Sequence, residues 1–319
     1  MFDSVLMMKR LFFLLLLSAF AWRLSAQETF IFTPQWTAQA QFAGYYVALE
    51  KGFYDEEGVN VQIVHPSASQ SAMERIRTDQ SHATTLQVAQ ALEIIDSGVP
   101  LVNVLQTSMN NALVIVSRRG KDPLKQHGAR VGIWNAGFGQ MAICMSQIEH
   151  LDYEWIRFDT NVTLFVSGAL DATLAMSYNE YYQLLQTGMD LTEENVYRFC
   201  NHGYNVQEDG VYMTLKTYRK EKDKAERFAR ASRRGWEWAA EHPEETLDIV
   251  MKYVQQEHIA TNRILQKLML EEVLRLQIDR ESGEREFRLR PDMVELASNL
   301  MLQCGMLKNG ITYDQMTAR

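Results

Sequence analysis

The chain has 319 residues, 46% of them hydrophobic and 23% charged, with a formal net charge of −8. That length exceeds the usual single hydrophobic core and calls for two lobes. The acidic balance argues against nucleic acid as a partner.

The N-terminus carries Lys9-Arg10, the apolar run Leu11 to Ala21, and the small-residue site Leu24-Ser25-Ala26. This pattern predicts a secretory signal peptide over residues 1–26. The run is too short for a transmembrane helix, which needs about 20 apolar residues. We therefore expect an exported, soluble, periplasmic protein.

Phe30 to Val64 reads as a strand, a loop of amides and aromatics, a helix over Gly44 to Lys51, a turn at Gly58 and a second strand. Ile31, Val47, Ala48, Val61 and Ile63 pin that unit to a sheet. Gln35, Trp36, Gln39, Gln41, Phe42, Tyr45 and Tyr46 gather where the first strand ends, the edge at which open α/β sheets bind ligands. A helix follows over Ser69 to Thr78. Leu86, Ala89, Leu92 and Ile95 give a second helical face, and strands follow at Leu101 to Leu105 and Ala112 to Val116. This alternation of helices and strands signals a mostly parallel α/β arrangement.

Beyond the polar break Arg118 to Pro123, the reading is a strand over Ala129 to Trp134, the turn Gly137-Phe138-Gly139 and a helix over Gln140 to Ile148. A helix over Ala169 to Thr173 precedes the segment Ala175 to Tyr182. From Lys216 onward the sequence is helical throughout, with Phe228, Ala231, Gly235, Trp238 and Ala239 on one stripe. His242, before Pro243, is expected to cap a turn, and the charge run Lys216 to Arg234 to be a solvated helix face.

The segment Tyr46-Val47-Ala48-Leu49-Glu50-Lys51-Gly52-Phe53-Tyr54, with Glu57-Gly58 and Val61, resembles the start of the substrate-binding proteins of the thiamine-precursor, riboflavin, taurine and sulfonate group of ABC importers. Trp36, Gln39 and Gln41 bring it nearest the branch that binds thiamine pyrimidine precursors. Gly235-Trp236 and His242-Pro243-Glu244-Glu245 resemble that group's C-terminal helix pair. The resemblance implies an α/β, two-lobed periplasmic-binding-protein (type II) fold with an interlobe ligand cleft and a helical C-terminal part. On that pattern, residues 27–116 form the first lobe, 117–212 the second, and 213–319 a helical return to the first.

Four segments would line the cleft: Trp36, Gln39, Gln41 and Tyr45; the loop with Ser67; Trp134, Asn135, Gly137, Phe138 and Gly139; and Tyr178, Asn179 and Glu180. Flat rings stack on Trp and Tyr faces, while amides read donors and acceptors at a ring edge. The glycine turn opens a helix whose first N–H groups favour an anion or a carbonyl. Glu180 among tyrosines suits an amino-pyrimidine donor edge, or else begins a helix and favours its dipole. Lys and Arg are absent from the first, second and fourth segments, which favours a neutral or weakly cationic ring over a small bare anion.

The expected function is delivery of a small heteroaromatic nutrient, a thiamine pyrimidine precursor first, to an ABC permease by a monomer without a cofactor. The alternatives are a riboflavin, taurine or sulfonate binder, or a ligand sensor. The pyrimidine-phosphate synthases resemble this chain in the first segment and the glycine turn. They need a cysteine cluster with a catalytic His and Lys, however, and Cys144, Cys200 and Cys304 form none. These three match no CxxC pair or zinc spacing and read as buried or inert thiols. The seven histidines are scattered and suggest no metal site. The chain is therefore not expected to be an enzyme.

Overall fold

The computed structural model describes residues 28–67, 70–159 and 162–317. The apolar run Leu11 to Ala21 and the expected cleavage site after Ala26 lie outside the described residues.

Two five-stranded mixed sheets organise the chain. The first contains β1 (Phe30–Thr33), β2 (Val61–Ile63), β3 (Ala83–Leu86), β4 (Leu101–Gln106) and β10 (Gly210–Thr214), in the order β2-β1-β3-β10-β4. β1 runs parallel to β2 and β3, whereas β10 is antiparallel to β3 and β4. The second contains β5 (Leu113–Ser117), β6 (Arg130–Trp134), β7 (Glu154–Phe158), β8 (Ala172–Met176) and β9 (Val196–Arg198), in the order β7-β6-β8-β5-β9. Here β6 is parallel to β7 and β8, and β5 is antiparallel to β8 and β9. This is the expected two-lobed α/β architecture, but the sheets are mixed rather than mostly parallel, because β10 and β5 pair antiparallel with their neighbours.

Both crossings between lobes come earlier than the sequence suggested. The boundary placed at 116/117 falls inside β5, whose partners β8 and β9 belong to the second sheet. The chain therefore crosses between Gln106 and Leu113. The boundary at 212/213 falls inside β10, which pairs in the first sheet, so the return lies between Arg198 and Gly210. The polar break Arg118 to Pro123 is a turn within the second lobe.

Two local readings are also corrected. Leu86 ends β3, and the next helix begins only at Val88. The segment expected as a helix over Ala169 to Thr173 leads instead into β8. All five β8 side chains are buried, so the segment has no polar face for an amphipathic helix. It fits a strand covered on both sides.

The helices of the first lobe are α1 (Ala43–Glu50), α2 (Phe53–Glu56), α3 (Ala72–Arg77) and α4 (Val88–Asp96); those of the second are α5 (Gln140–Ile148), α6 (Thr163–Val166) and α7 (Glu180–Gln186). The C-terminal part comprises α8 (Leu215–Glu241), α9 (Pro243–Gln256), α10 (Arg263–Leu276), α11 (Pro291–Gln303) and α12 (Tyr313–Met316). It is helical except between α10 and α11, where Ile278 and Arg285 form an isolated bridge. Thr214 caps α8 by accepting from the Thr217 amide. His242 sits between α8 and α9, its Nδ1 against the Trp238 carbonyl.

α8 packs along α1 with no side chain between them at one point. A Cβ on Gly235 would stand 2.1 Å from the Gly44 carbonyl oxygen, and one on Gly44 would stand 2.2 Å from the Trp236 ring. Trp236, Phe228, Ala231 and Ala239 are buried there. The contact seats α1, and with it the loop that precedes α1.

Cys144 and Cys304 are not inert thiols: they form a disulfide between α5 and the end of α11, 160 residues apart in sequence. Cys200 is free and partly exposed.

Two outcomes check this packing. Gly235→Ala has no room for its methyl group, so it should lose about 1–3 kcal/mol to overpacking, lowering the melting temperature by several degrees. A melt within a degree of the parent would show that the helices separate without cost. Thiol titration of denatured, unreduced protein should find one reactive cysteine per chain and three after reduction. Three before reduction would remove the Cys144–Cys304 bond.

Candidate functional site

The loop after β1 contributes Gln35, Trp36, Gln39 and Gln41. The Gln35 backbone N–H donates to Thr85 Oγ1 at 2.9 Å, and the Ala40 N–H donates to Gln266 Oε1 of α10 at 2.7 Å. His65 holds the loop from a third side, with Nδ1 2.7 Å from the Trp36 carbonyl and Nε2 2.9 Å from Tyr46 Oη. A carbonyl only accepts, so Nδ1 carries the proton and Nε2 accepts from Tyr46. Burial lowers the pKa of His65, which fits this neutral tautomer.

The second lobe contributes Trp134 at the end of β6, Phe138 in the following turn, Met176 at the end of β8, and Tyr178, Asn179 and Glu180 just after it. Together with Gln35, Trp36, Gln39, Gln41 and Gln87, these residues line one interlobe cavity of about 20 Å³. An adjoining cleft of about 520 Å³ runs outward past Trp36, Phe138, Asn135, Pro66 and Ser67. The lobes touch across it: Trp36 meets Phe138 edge-on at 5.5 Å between centroids. Gln90 Nε2 donates to the Gly137 carbonyl at 3.0 Å, and Gln140 Nε2 donates to Glu93 at 2.7 Å.

The structure thus brings eight of the expected residues into the cavity lining: Trp36, Gln39, Gln41, Trp134, Phe138, Tyr178, Asn179 and Glu180. Ser67 and Asn135 stand on the outer cleft, where Asn135 donates to Asp159 at 2.6 Å. Gly137 receives the Gln90 and Gln140 amides on its carbonyl. Gly139 is the N-cap of α5 and has no side-chain cap bond. Tyr45 lies elsewhere. It is buried in the first lobe between Phe32 and Trp236, because the helical turn of α1 points it at the α8 contact.

Glu180 is the first residue of α7, and its carboxylate turns back toward β8. Oε2 accepts from the Met176 amide at 3.0 Å and Oε1 from Asn179 at 3.1 Å. Burial raises its pKa, while the Met176 amide, its own amide, Trp134 and Asn179 oppose that rise.

The sequence reading missed two further acids on the return crossing. Asp209 takes Gln35 Nε2 on Oδ1 at 2.6 Å and Gln41 Nε2 on Oδ2 at 2.7 Å. Burial pushes its pKa up to about 6 against the pull of these two amides. Glu208 beside it is held well above the usual carboxylate range by burial first and by the charge of Asp209 second. Amides rather than a cation stabilise these carboxylates. The only sequence signal was two adjacent acids entering an all-buried strand, Gly210–Thr214.

Among the described residues no group of three His, Cys, Asp or Glu side chains is placed to hold a metal. No described helix is long and apolar enough to cross a membrane. What the cavity offers chemically is aromatic faces, amide edges and a buried carboxylate between two lobes, an arrangement suited to binding.

The chain matches the family described as NMT1/THI5 like over residues 39–246. It is 25% identical over 240 residues, 71% of either chain, to the formylaminopyrimidine-binding protein of Halalkalibacterium halodurans. Among solved structures it is similar to the ligand-binding component of an ABC-type import system from Staphylococcus aureus, with a TM-score of 0.67 and 9% identity over 91% of this chain and 96% of that one. It is also similar to the periplasmic aliphatic sulphonate binding protein of Escherichia coli, with a TM-score of 0.62 and 10% identity over 92% of each chain. These two likenesses concern the fold. The chain belongs to the NMT1/THI5-like family and has the periplasmic-binding-protein fold.

Proposed function

We propose that this protein is an extracytoplasmic solute-binding protein that closes two lobes around a small heteroaromatic nutrient and presents it to an ABC permease. The observation that carries this reading is the interlobe cavity lined together by Trp36, Trp134, Phe138, Tyr178 and Glu180. Aromatic faces suit a flat ring, and a buried acceptor suits a ring bearing amino hydrogens. A thiamine-type aminopyrimidine meets both demands, and the name of the Halalkalibacterium halodurans relative supports that class.

Sulfonate fits the lining poorly. Among the described residues no Lys or Arg lines the cavity, so a bare anion would meet Glu180 without a compensating cation. The groups that a synthase-type chemistry would call on have other partners. His65 is committed to Trp36 and Tyr46, and two of the three cysteines are bonded to each other. Hinge closure over the two crossings would perform the whole task without covalent chemistry. Export by the N-terminal segment, a periplasmic location, a monomeric state and the permease partner belong to the same proposal.

Thermal unfolding with candidate ligands tests it. A formylaminopyrimidine at 100 times its dissociation constant should stabilise by about 2.7 kcal/mol, a shift of several degrees, whereas taurine should give none. A taurine shift without a pyrimidine shift would reverse the assignment.

Calorimetric titration of two variants probes the site itself. Trp36→Ala should weaken pyrimidine binding by about 1–3 kcal/mol through loss of a stacking face. Glu180→Gln should weaken it by about 1–3 kcal/mol. It should also lower stability, because the new amide NH2 faces the Met176 N–H or the Asn179 NH2. Unchanged affinity in Trp36→Ala would remove the stacking model.

A further inference from the structure

The amides at the cavity wall are not free to choose their direction. Gln35 is only 8% exposed and lines the cavity. Its Nε2 is held by Asp209 Oδ1. Gln41 gives its Nε2 to Asp209 Oδ2, and its own oxygen accepts from Gln39 Nε2 at 2.6 Å. An ionised carboxylate accepts and cannot donate. Both glutamines must therefore turn their NH2 groups to Asp209 and their oxygens away from it.

The consequence appears at Gln35 Oε1, which is buried without a hydrogen-bond partner among the described residues. An orphaned buried acceptor costs stability unless something supplies a hydrogen. No donor among the described residues does so, and the residue borders the cavity. Asp209 is itself anchored on the return crossing, where its carbonyl accepts from the Thr107 N–H at 2.8 Å, from Thr107 Oγ1 at 2.8 Å and from Gln106 Nε2 at 3.1 Å.

We propose that Asp209 is a positioning residue for ligand selectivity: it fixes the Gln35 carboxamide so that its oxygen meets the ligand, and the site thereby selects a ring edge that donates hydrogen bonds. This rests on the solute-binding reading above and narrows its ligand to rings carrying an exocyclic amine or a ring N–H at that edge. A ring with a carbonyl there would place two acceptors against each other.

Asp209→Asn breaks the constraint. Asparagine offers one acceptor oxygen and one NH2, so Gln35 and Gln41 cannot both keep their present directions. Gln35→Met removes the reading atom and keeps a side chain of similar length. Calorimetric titration would compare a hydroxymethyl-aminopyrimidine with the analogue carrying a carbonyl in place of the amine. The parent, both single variants and the double variant would be titrated, each beside its unfolding curve.

The parent should favour the amine by about tenfold or more, as sites built to hydrogen-bond a group do. Each single variant should lose most of that ratio, and adding Asp209→Asn to Gln35→Met should leave the ratio where Gln35→Met put it. A purely structural acid would weaken both ligands alike and leave the ratio unmoved, which would overturn the proposal. If Asp209→Asn does not fold, an unmoved ratio in Gln35→Met alone overturns it. A parent that binds neither ring rejects the solute reading together with this inference. A parent that binds the amine with an unmoved ratio in the variants rejects the inference alone.

Discussion

The arrangement of the site depends on one acid, Asp209, which joins the return crossing between the lobes to the loop that follows β1. Its two oxygens hold Gln35 and Gln41 at 2.6 and 2.7 Å, and Gln41 holds Gln39. The acid is costly where it stands. Its folded pKa of about 6 lies above the ordinary value of 3.8, so the folded state holds the proton more tightly than the unfolded chain. Its contribution is therefore most favourable below the ordinary pKa and is lost as pH rises through about 6. At neutral pH the penalty approaches about 3 kcal/mol. An apolar residue would avoid that penalty but could not orient two amides. Departures of this kind from the most stable arrangement are expected where a fold carries function.

The rest of the structure keeps that loop still. Gly44 and Gly235 let α1 and α8 approach to backbone contact, which fixes the helix that begins just after Gln41 and Phe42. Gln266 of α10 takes the Ala40 N–H, and His65 takes the Trp36 carbonyl. The C-terminal helices thus act on the site although none of their residues lines the inner cavity. A loop held at three points loses little further entropy when a ligand arrives, and preorganisation of this sort raises affinity by lowering that cost.

Much of this was legible in the sequence. The helix over Gln140 to Ile148 and the strand ending at Trp134 lie where the sequence put them, because the glycine turn Gly137-Phe138-Gly139 marks the break between them. The aromatic and amide residues of the Trp36 loop, the glycine turn and the Tyr178 segment do converge. Long-range pairing was not legible. β8 is buried on both faces, so its apolar run carried no alternation to separate strand from helix. β5 joined the second sheet for reasons residing in β8 and β9, more than fifty residues further along the chain. Tyr45 and Trp236 belong to the helix contact because two glycines remove the side chains that would otherwise keep α1 and α8 apart. Asp209 was invisible for a related reason: its partners Gln35 and Gln41 are about 170 residues away, and only the fold brings them together.

The size of the cavity bears on how any ligand enters. About 20 Å³ holds roughly one water molecule, far less than an aromatic ring. Trp36 and Phe138 meet edge-on at its wall. On the binding reading proposed above, a ring would enter by loosening that contact and the Gln90–Gly137 and Gln140–Glu93 bonds that also span the lobes. The outer cleft of about 520 Å³ lies on the side from which a ring would enter. An aromatic pair contributes about 0.5–1.5 kcal/mol beyond the area it buries, and a ligand must replace that as well as the hydrogen bonds it breaks. A flat ring can do so by stacking on the same faces. A small anion has no face to offer, and the surrounding amides and carboxylates give it no counter-charge. On the binding reading proposed above, the same contact would disfavour the ligands for which the lining is least suited.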